Sequence, residues 1–327
     1  MKPSRIQTVL TSLLKQRWPA FLWGPPGVGK SSVVRSVAEQ SKLPVLDIRA
    51  SLLDPTDLRG IPAVQNSKAV WCPPAFLPEK GEPPGVLFLD EINAAPPLVQ
   101  ASLYQLVLDR QIGEYRLPDG WWIVAAGNRQ GDKSLVFRLS AALANRFIHI
   151  DFEPNSADWR DWAISRRIHP LIVGFIGFKP SLLLAEPGDS PAYPTPRSWE
   201  IVSDLILAFG SIQACRDLIP GAIGEGAAVE FLAFSENSLR EKDFLAIVDN
   251  PETANLPTSL GEIYALTSWL AYHGQGQSVR EAAAILLSRI PPEFAVVLAR
   301  DMLKASSAFL KEGGYKEFIS KHGKLLV

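Results

Sequence analysis

Between residues 24 and 31 the chain reads Gly24-Pro25-Pro26-Gly27-Val28-Gly29-Lys30-Ser31, a G-x-x-x-x-G-K-S run, and no other feature restricts its fold as strongly. Glycines let successive backbone N–H groups wrap round a phosphate, the lysine reaches the outer phosphate oxygens, and the serine hydroxyl suits Mg2+. Such a loop works between a strand and a helix. The apolar run Ala20 to Trp23 precedes it, and a helical pattern from Ser31 to Gln40 follows, with Ser32 in its first turn. The residues expected to hold a nucleotide are therefore Gly24, Pro25, Pro26, Gly27, Val28, Gly29, Lys30, Ser31 and Ser32.

Further apolar or β-prone runs, Val45 to Ile48, Val86 to Leu89, Ile123 to Ala126 and Phe147 to Phe152, alternate with helical patterns. This alternation is the mark of an α/β unit with a five-stranded, mostly parallel sheet. Val99, Leu103 and Leu106 give a helical stripe, and Pro96-Pro97 suits a helix entry, so a helix is expected over Pro97 to Asp109. Two stretches break the alternation. Gly60 to Pro74 is expected to form a hairpin turning near Asn66-Ser67, and Gln111 to Trp122 another turning at Asp119-Gly120. Beyond Phe152 the strand signal fades, and stripes such as Val202, Leu205, Ile206 and Phe209, or Ile263, Leu266 and Leu270, are helical. The expected organisation is an α/β nucleotide-binding core at 1–153, a helical lid at 154–248 and a helical C-terminal extension at 249–327.

The run Leu87-Phe88-Leu89-Asp90-Glu91 ends an apolar strand in two carboxylates, about sixty residues after Lys30. Alone, that ending marks a solvated strand end. After a phosphate-binding loop, Asp90 becomes the second expected Mg2+ ligand beside Ser31, and Glu91 the group that polarises a water attacking the γ-phosphate of ATP. The strand Ile123 to Ala126 runs into Gly127-Asn128, which places an amide at a strand C-terminal end, where α/β sheets put ligand sites. Asn128 could orient that water.

Several residues are set aside. Cys72 and Cys215 have no CxxC partner, so neither a disulfide framework nor a zinc site is expected; Cys72, between Trp71 and Pro73, reads as a buried hydrophobe. His149 and His169 read as structural. Trp121-Trp122 beside Arg116 could stack on bases but reads better as core. A net charge of −1 argues against coating nucleic acid. The N-terminal residues lack a long apolar core and Leu171 to Phe178 is too short to span a bilayer, so no export signal, no membrane anchor and a reducing cytoplasm are expected.

In the order and spacing of these motifs the chain resembles MoxR-type AAA+ ATPases of the helix-2-insert group. The similarity includes Asp90 to Gly113 (DEINAAPPLVQASLYQLVLDRQIG), Asp57 to Pro62 (DLRGIP), Ala142 to Phe147 (ALANRF) and Pro196 to Glu200 (PRSWE). The family carries a hairpin within its second helix and another before its sensor-1 strand, matching the two irregular stretches. The resemblance implies ATP/ADP and Mg2+ as ligands and a ring, usually hexameric. It implies sensor 1 at Asn128, sensor 2 at Arg197 and an arginine finger at Arg146, with Arg138 as the fallback. Without the resemblance, Arg146 would cap a helix and Arg197 would be a surface charge. Many members have proline after the sensor-1 asparagine; this chain has Arg129. The implied function is ATP-driven remodelling or maturation of a protein client, not named by the sequence, with a von Willebrand factor A domain partner. The alternative is a nucleic-acid motor of the helicase or restriction type, which the near-neutral charge disfavours.

Overall fold

The computed structural model describes residues 1–132, 136–188 and 190–322, with the side chain of residue 65 left aside. Residue 189, within the proline-rich stretch Glu186 to Pro196 of the expected lid, and residues 323–327 of the expected extension lie outside this set. Two compact units are present, Met1–Pro154 and Asn155–Val327.

The first unit opens with a helix, α1 (Pro3–Gln16), followed by β1 (Ala20–Trp23), α2 (Lys30–Gln40), β2 (Val45–Arg49) and the short α3 (Pro55–Arg59). A hairpin of β3 (Ile61–Gln65) and β4 (Lys68–Cys72) precedes β5 (Val86–Asp90) and α4 (Pro97–Asp109). Then come β6 (Gln111–Ile112), β7 (Tyr115–Arg116), β8 (Trp122–Gly127), α5 (Ala141–Ala144) and β9 (Ile148–Asp151). The five main strands form one parallel sheet in the order β2-β5-β8-β1-β9. The burial of its strands explains their spelling. β8 is buried throughout and β5 up to its last residue, so both are continuous apolar runs. The edge strands β2 and β9 are mixed. Leu87, Leu89, Ile123 and Ala125 pack with Val99, Leu103 and Leu106 of α4 on one face, and α2 lies against β5 and β8.

Asn66 and Ser67 both have positive φ, 50° and 62°, so the first hairpin turns at the expected pair, in the sense that matches strand twist. The second does not turn at Asp119-Gly120. Ile112 pairs with Tyr115, placing the turn at Gly113-Glu114. Asp119-Gly120 instead forms a turn closed by the Trp121 N–H to Pro118 O at 3.1 Å, which delivers the chain into β8. Trp121 and Trp122 are core residues, 5% and 1% exposed, and are not available to stack on bases. Cys72 differs from expectation: it ends β4 of the hairpin and is exposed, whereas Cys215 is buried.

The second unit is helical throughout its described residues: α6 (Ser156–Ser165), α7 (Pro170–Phe178), α8 (Pro196–Phe209), α9 (Ile219–Ile223), α10 (Glu225–Glu236), α11 (Glu241–Asp249), α12 (Leu260–Tyr272), α13 (Gln277–Leu286), α14 (Pro292–Ala305) and α15 (Gly313–His322). The expected separation of a lid from an extension after residue 248 is not a break in packing. One core runs from Trp159 to Phe318, and α7 packs on α12. Arg160 of α6 donates to Asp301 of α14 at 2.6 Å with both side chains buried, so the pair also ties the two stretches together. Among the described residues no helix is long and apolar enough to cross a membrane.

Candidate active site

Strand register brings the motifs together. β1 lies between β8 and β9, with Trp23 opposite Gly127 and Asp151, so the glycine-rich loop leaves the sheet beside Asn128. The Gly24 N–H donates to Gly127 O at 3.3 Å, and the Phe152 N–H to Trp23 O at 2.7 Å. β5 pairs with β8 on its other side, Leu89 opposite Ala125, which puts Asp90 and Glu91 at the same end of the sheet. This is the carboxyl end, next to β1, where the strand order reverses.

The loop enters α2 through Gly29, whose φ of +106° few other residues adopt. No side chain caps this helix, so its first N–H groups face the loop as anion donors. The Lys30 ammonium, 7% exposed, donates to Gly24 O at 2.5 Å, Pro25 O at 3.0 Å and Asn128 Oδ1 at 3.0 Å. Ser31 Oγ donates to Asp90 Oδ2 at 3.0 Å. Burial raises the Asp90 carboxyl above its ordinary range, opposed by the Ser31 hydrogen bond and the Lys30 charge. Two hard oxygen donors at this distance, beside a phosphate-binding loop, fit Mg2+. Ser32 is exposed in the first turn of α2.

Glu91 has φ +55°, a left-handed conformation that costs a side-chain-bearing residue on the order of 1 kcal/mol and sharply turns the chain after β5. Its N–H donates to Asp90 Oδ1 at 2.9 Å, and its Oε2 accepts from Ser51 Oγ at 2.6 Å. Ser51 follows β2, which pairs with β5 as far as Arg49 opposite Asp90. Neither Ser51 nor Asn93 is singled out by sequence reasoning. Asn93, 3% exposed, accepts from the Asn128 N–H at 3.2 Å through Oδ1 and donates from Nδ2 to Asn128 O at 2.7 Å. Asn93 does lie within the segment that carries the family resemblance, but contacts across strands leave no spacing signal.

Among the described residues, no hydrogen bond of this cluster involves Arg146, which is exposed in the turn after α5, or Arg138, which is exposed before it. Arg197 belongs to the second unit, exposed in the first turn of α8, whose N-terminus Thr195 and Ser198 cap reciprocally. Arg129 gains an assignment: it donates to Asp151 at 2.6 Å, joining the ends of β8 and β9 on either side of β1. Both side chains are largely exposed, so the pair contributes little stability. His149 is structural. Its Nδ1 accepts from Trp23 Nε1 at 2.8 Å, and its Nε2 lies 2.8 Å from Ala144 O.

Residues 19–147 match the family described as AAA domain (dynein-related subfamily). The chain is 31% identical over 137 residues to Protein MoxR of Paracoccus denitrificans, a match covering 40% of each chain. It is 28% identical over 145 residues to Protein MoxR of Methylorubrum extorquens, covering 43% of this chain and 42% of the relative. The chain thus spans less than half the length of the MoxR proteins it matches. Among solved structures, a RuvB mutant from Thermotoga maritima aligns over 90% of this chain and 87% of its own, at 17% identity and a TM-score of 0.42, too loose a likeness to transfer residue roles. Residues 19–147 thus match an AAA domain, and over about this stretch the chain is similar to MoxR proteins.

Proposed function

We propose that the chain hydrolyses ATP to ADP and phosphate with Mg2+ as cofactor. A ring of such subunits, most simply a hexamer, would use that hydrolysis in the cytoplasm to remodel or mature a protein client, together with a von Willebrand factor A domain partner. The hydrolytic part is carried by one observation: Ser31 lies 3.0 Å from Asp90, and Lys30 lies 3.0 Å from Asn128, at the mouth of the glycine-rich loop. The ring, the client and the partner rest on the likeness to MoxR proteins.

The residues divide the work by chemistry. Backbone N–H groups from Gly27 to Ser32 would cradle the β-phosphate at the uncapped start of α2. The Lys30 ammonium would move from loop carbonyls to phosphate oxygens, and Ser31 and Asp90 would ligate the cation. Mg2+, when bound, neutralises charge on the β- and γ-oxygens. Glu91 would polarise the attacking water and Asn128 orient it. Arg146 of a neighbouring subunit and Arg197 would supply permanent positive charge to the departing γ-phosphate, roles to which a planar guanidinium is suited.

Phosphate release from Mg·ATP tests this reading. The native chain should turn over ATP, stop on chelation of Mg2+, and lose activity in Lys30→Ala. Turnover that persists in EDTA or in Lys30→Ala would contradict it.

A further inference from the structure

Asn93 joins three segments. The ladder between β5 and β8 ends with Leu89 opposite Ala125, and the Glu91 turn then takes the chain out of extended conformation. The Ile92 N–H still donates to Ala126 O at 3.1 Å, and beyond it a side chain takes over: the Asn93 amide offers Asn128 an acceptor for its N–H and a donor for its C=O, as a paired strand residue would. The Asn93 carbonyl in turn accepts from the Phe137 N–H at 2.7 Å, fixing the segment that leads to α5. Gly127 completes the fit. A Cβ there would lie 2.3 Å from Asn93 Oδ1 and 2.9 Å from Phe21 Cζ.

We propose that Asn93 is a positioning residue for hydrolysis: by holding both backbone polar groups of Asn128 it aims the Asn128 side chain, whose Oδ1 accepts from Lys30, at the place of the attacking water. The inference rests on the hydrolytic reading above. A buried amide that served only packing could be replaced by an apolar group at a cost in stability alone; one that orients a reacting partner affects rate. Nucleotide binding depends on the loop backbone and Lys30, neither of which Asn93 touches through a hydrogen bond described above, so rate and affinity should separate.

The test uses the full chain with Asn93→Ala and the isosteric Asn93→Asp, which keeps the acceptor and removes the donor, and Glu91→Gln in parallel. Steady-state phosphate release gives kcat and KM, and titration with a fluorescent ADP analogue gives affinity. Both Asn93 variants should lose about tenfold or more in kcat, with KM and ADP affinity within about threefold of native. If Asn93→Ala does not fold, Asn93→Asp carries the comparison. A kcat within about twofold of native, or an affinity loss matching the kcat loss, overturns the proposal. Absence of phosphate release from the native chain in Mg·ATP is the separate result that sinks the hydrolytic reading itself, whereas unchanged turnover in Glu91→Gln removes only Glu91 from it.

Discussion

Ser31 Oγ donates to Asp90 Oδ2 at 3.0 Å, linking the first turn of α2 to the end of β5. Burial disfavours the charged form of Asp90, so a divalent cation held by Ser31 and Asp90 would give that charge a partner. Asp90→Asn should therefore bind an ADP analogue equally in Mg2+ and in EDTA, whereas the native chain binds more tightly in Mg2+. Its turnover should fall by about a hundredfold. Retained Mg2+ dependence in the variant would remove Asp90 from the cation site.

Gly127→Ala forces a methyl to within 2.3 Å of Asn93 Oδ1. Overpacking of this kind costs about 1–3 kcal/mol. Denaturant unfolding should show that loss, accompanied by slower phosphate release because the Asn93–Asn128 pair is pushed apart. A variant as stable and as active as native would show that the strand end relaxes freely.

Much of the first unit was legible because its signals are local. Apolar continuity located β5 and β8, and the run of loop residues located the start of α2. Asn66-Ser67 marked its own turn. Asp119-Gly120 misled for the same reason: the pair does turn the chain, but pairing of Ile112 with Tyr115 and burial of Trp121 and Trp122 decide where the hairpin lies. Cys72 was misplaced because apolar neighbours signal burial only where a second layer covers them, and Trp71 itself is 39% exposed. Ser51 and Asn93 act through partners 40 and 35 residues away, a relation that exists only once β2, β5 and β8 are in register.

Arg146 and Arg138 can be separated by complementation. Arg146→Ala alone should bind nucleotide but turn over poorly. Mixing it with Lys30→Ala subunits, which lack the phosphate lysine but retain Arg146, should restore phosphate release if the arginine acts on a neighbour. An arginine finger is typically worth on the order of 10³ in rate. Restoration in the Arg138→Ala mixture, with Arg146→Ala fully active alone, would move the finger to Arg138.

His169, at the start of α7, has its imidazole pushed down to about 4 by burial, and its Nδ1 has no partner among the described residues. The native side chain thus stays neutral while the unfolded chain takes up a proton near 6.5. The associated stability is complete above that pH and is lost as pH falls towards about 4, by up to roughly 3 kcal/mol. Denaturant unfolding of His169→Gln should show a shallower loss of stability than native over this window. Equal slopes would mean that other groups dominate the acid limb.

On the proposed mechanism one site both binds and hydrolyses ATP, and Glu91 is needed for the second step only. Parallel measurement of nucleotide affinity and phosphate release in native and Glu91→Gln chains separates the two steps. Affinity should stay within a few-fold of native while turnover falls by about a hundredfold or more. Undiminished turnover in Glu91→Gln, or loss of binding together with turnover, would contradict that division of labour.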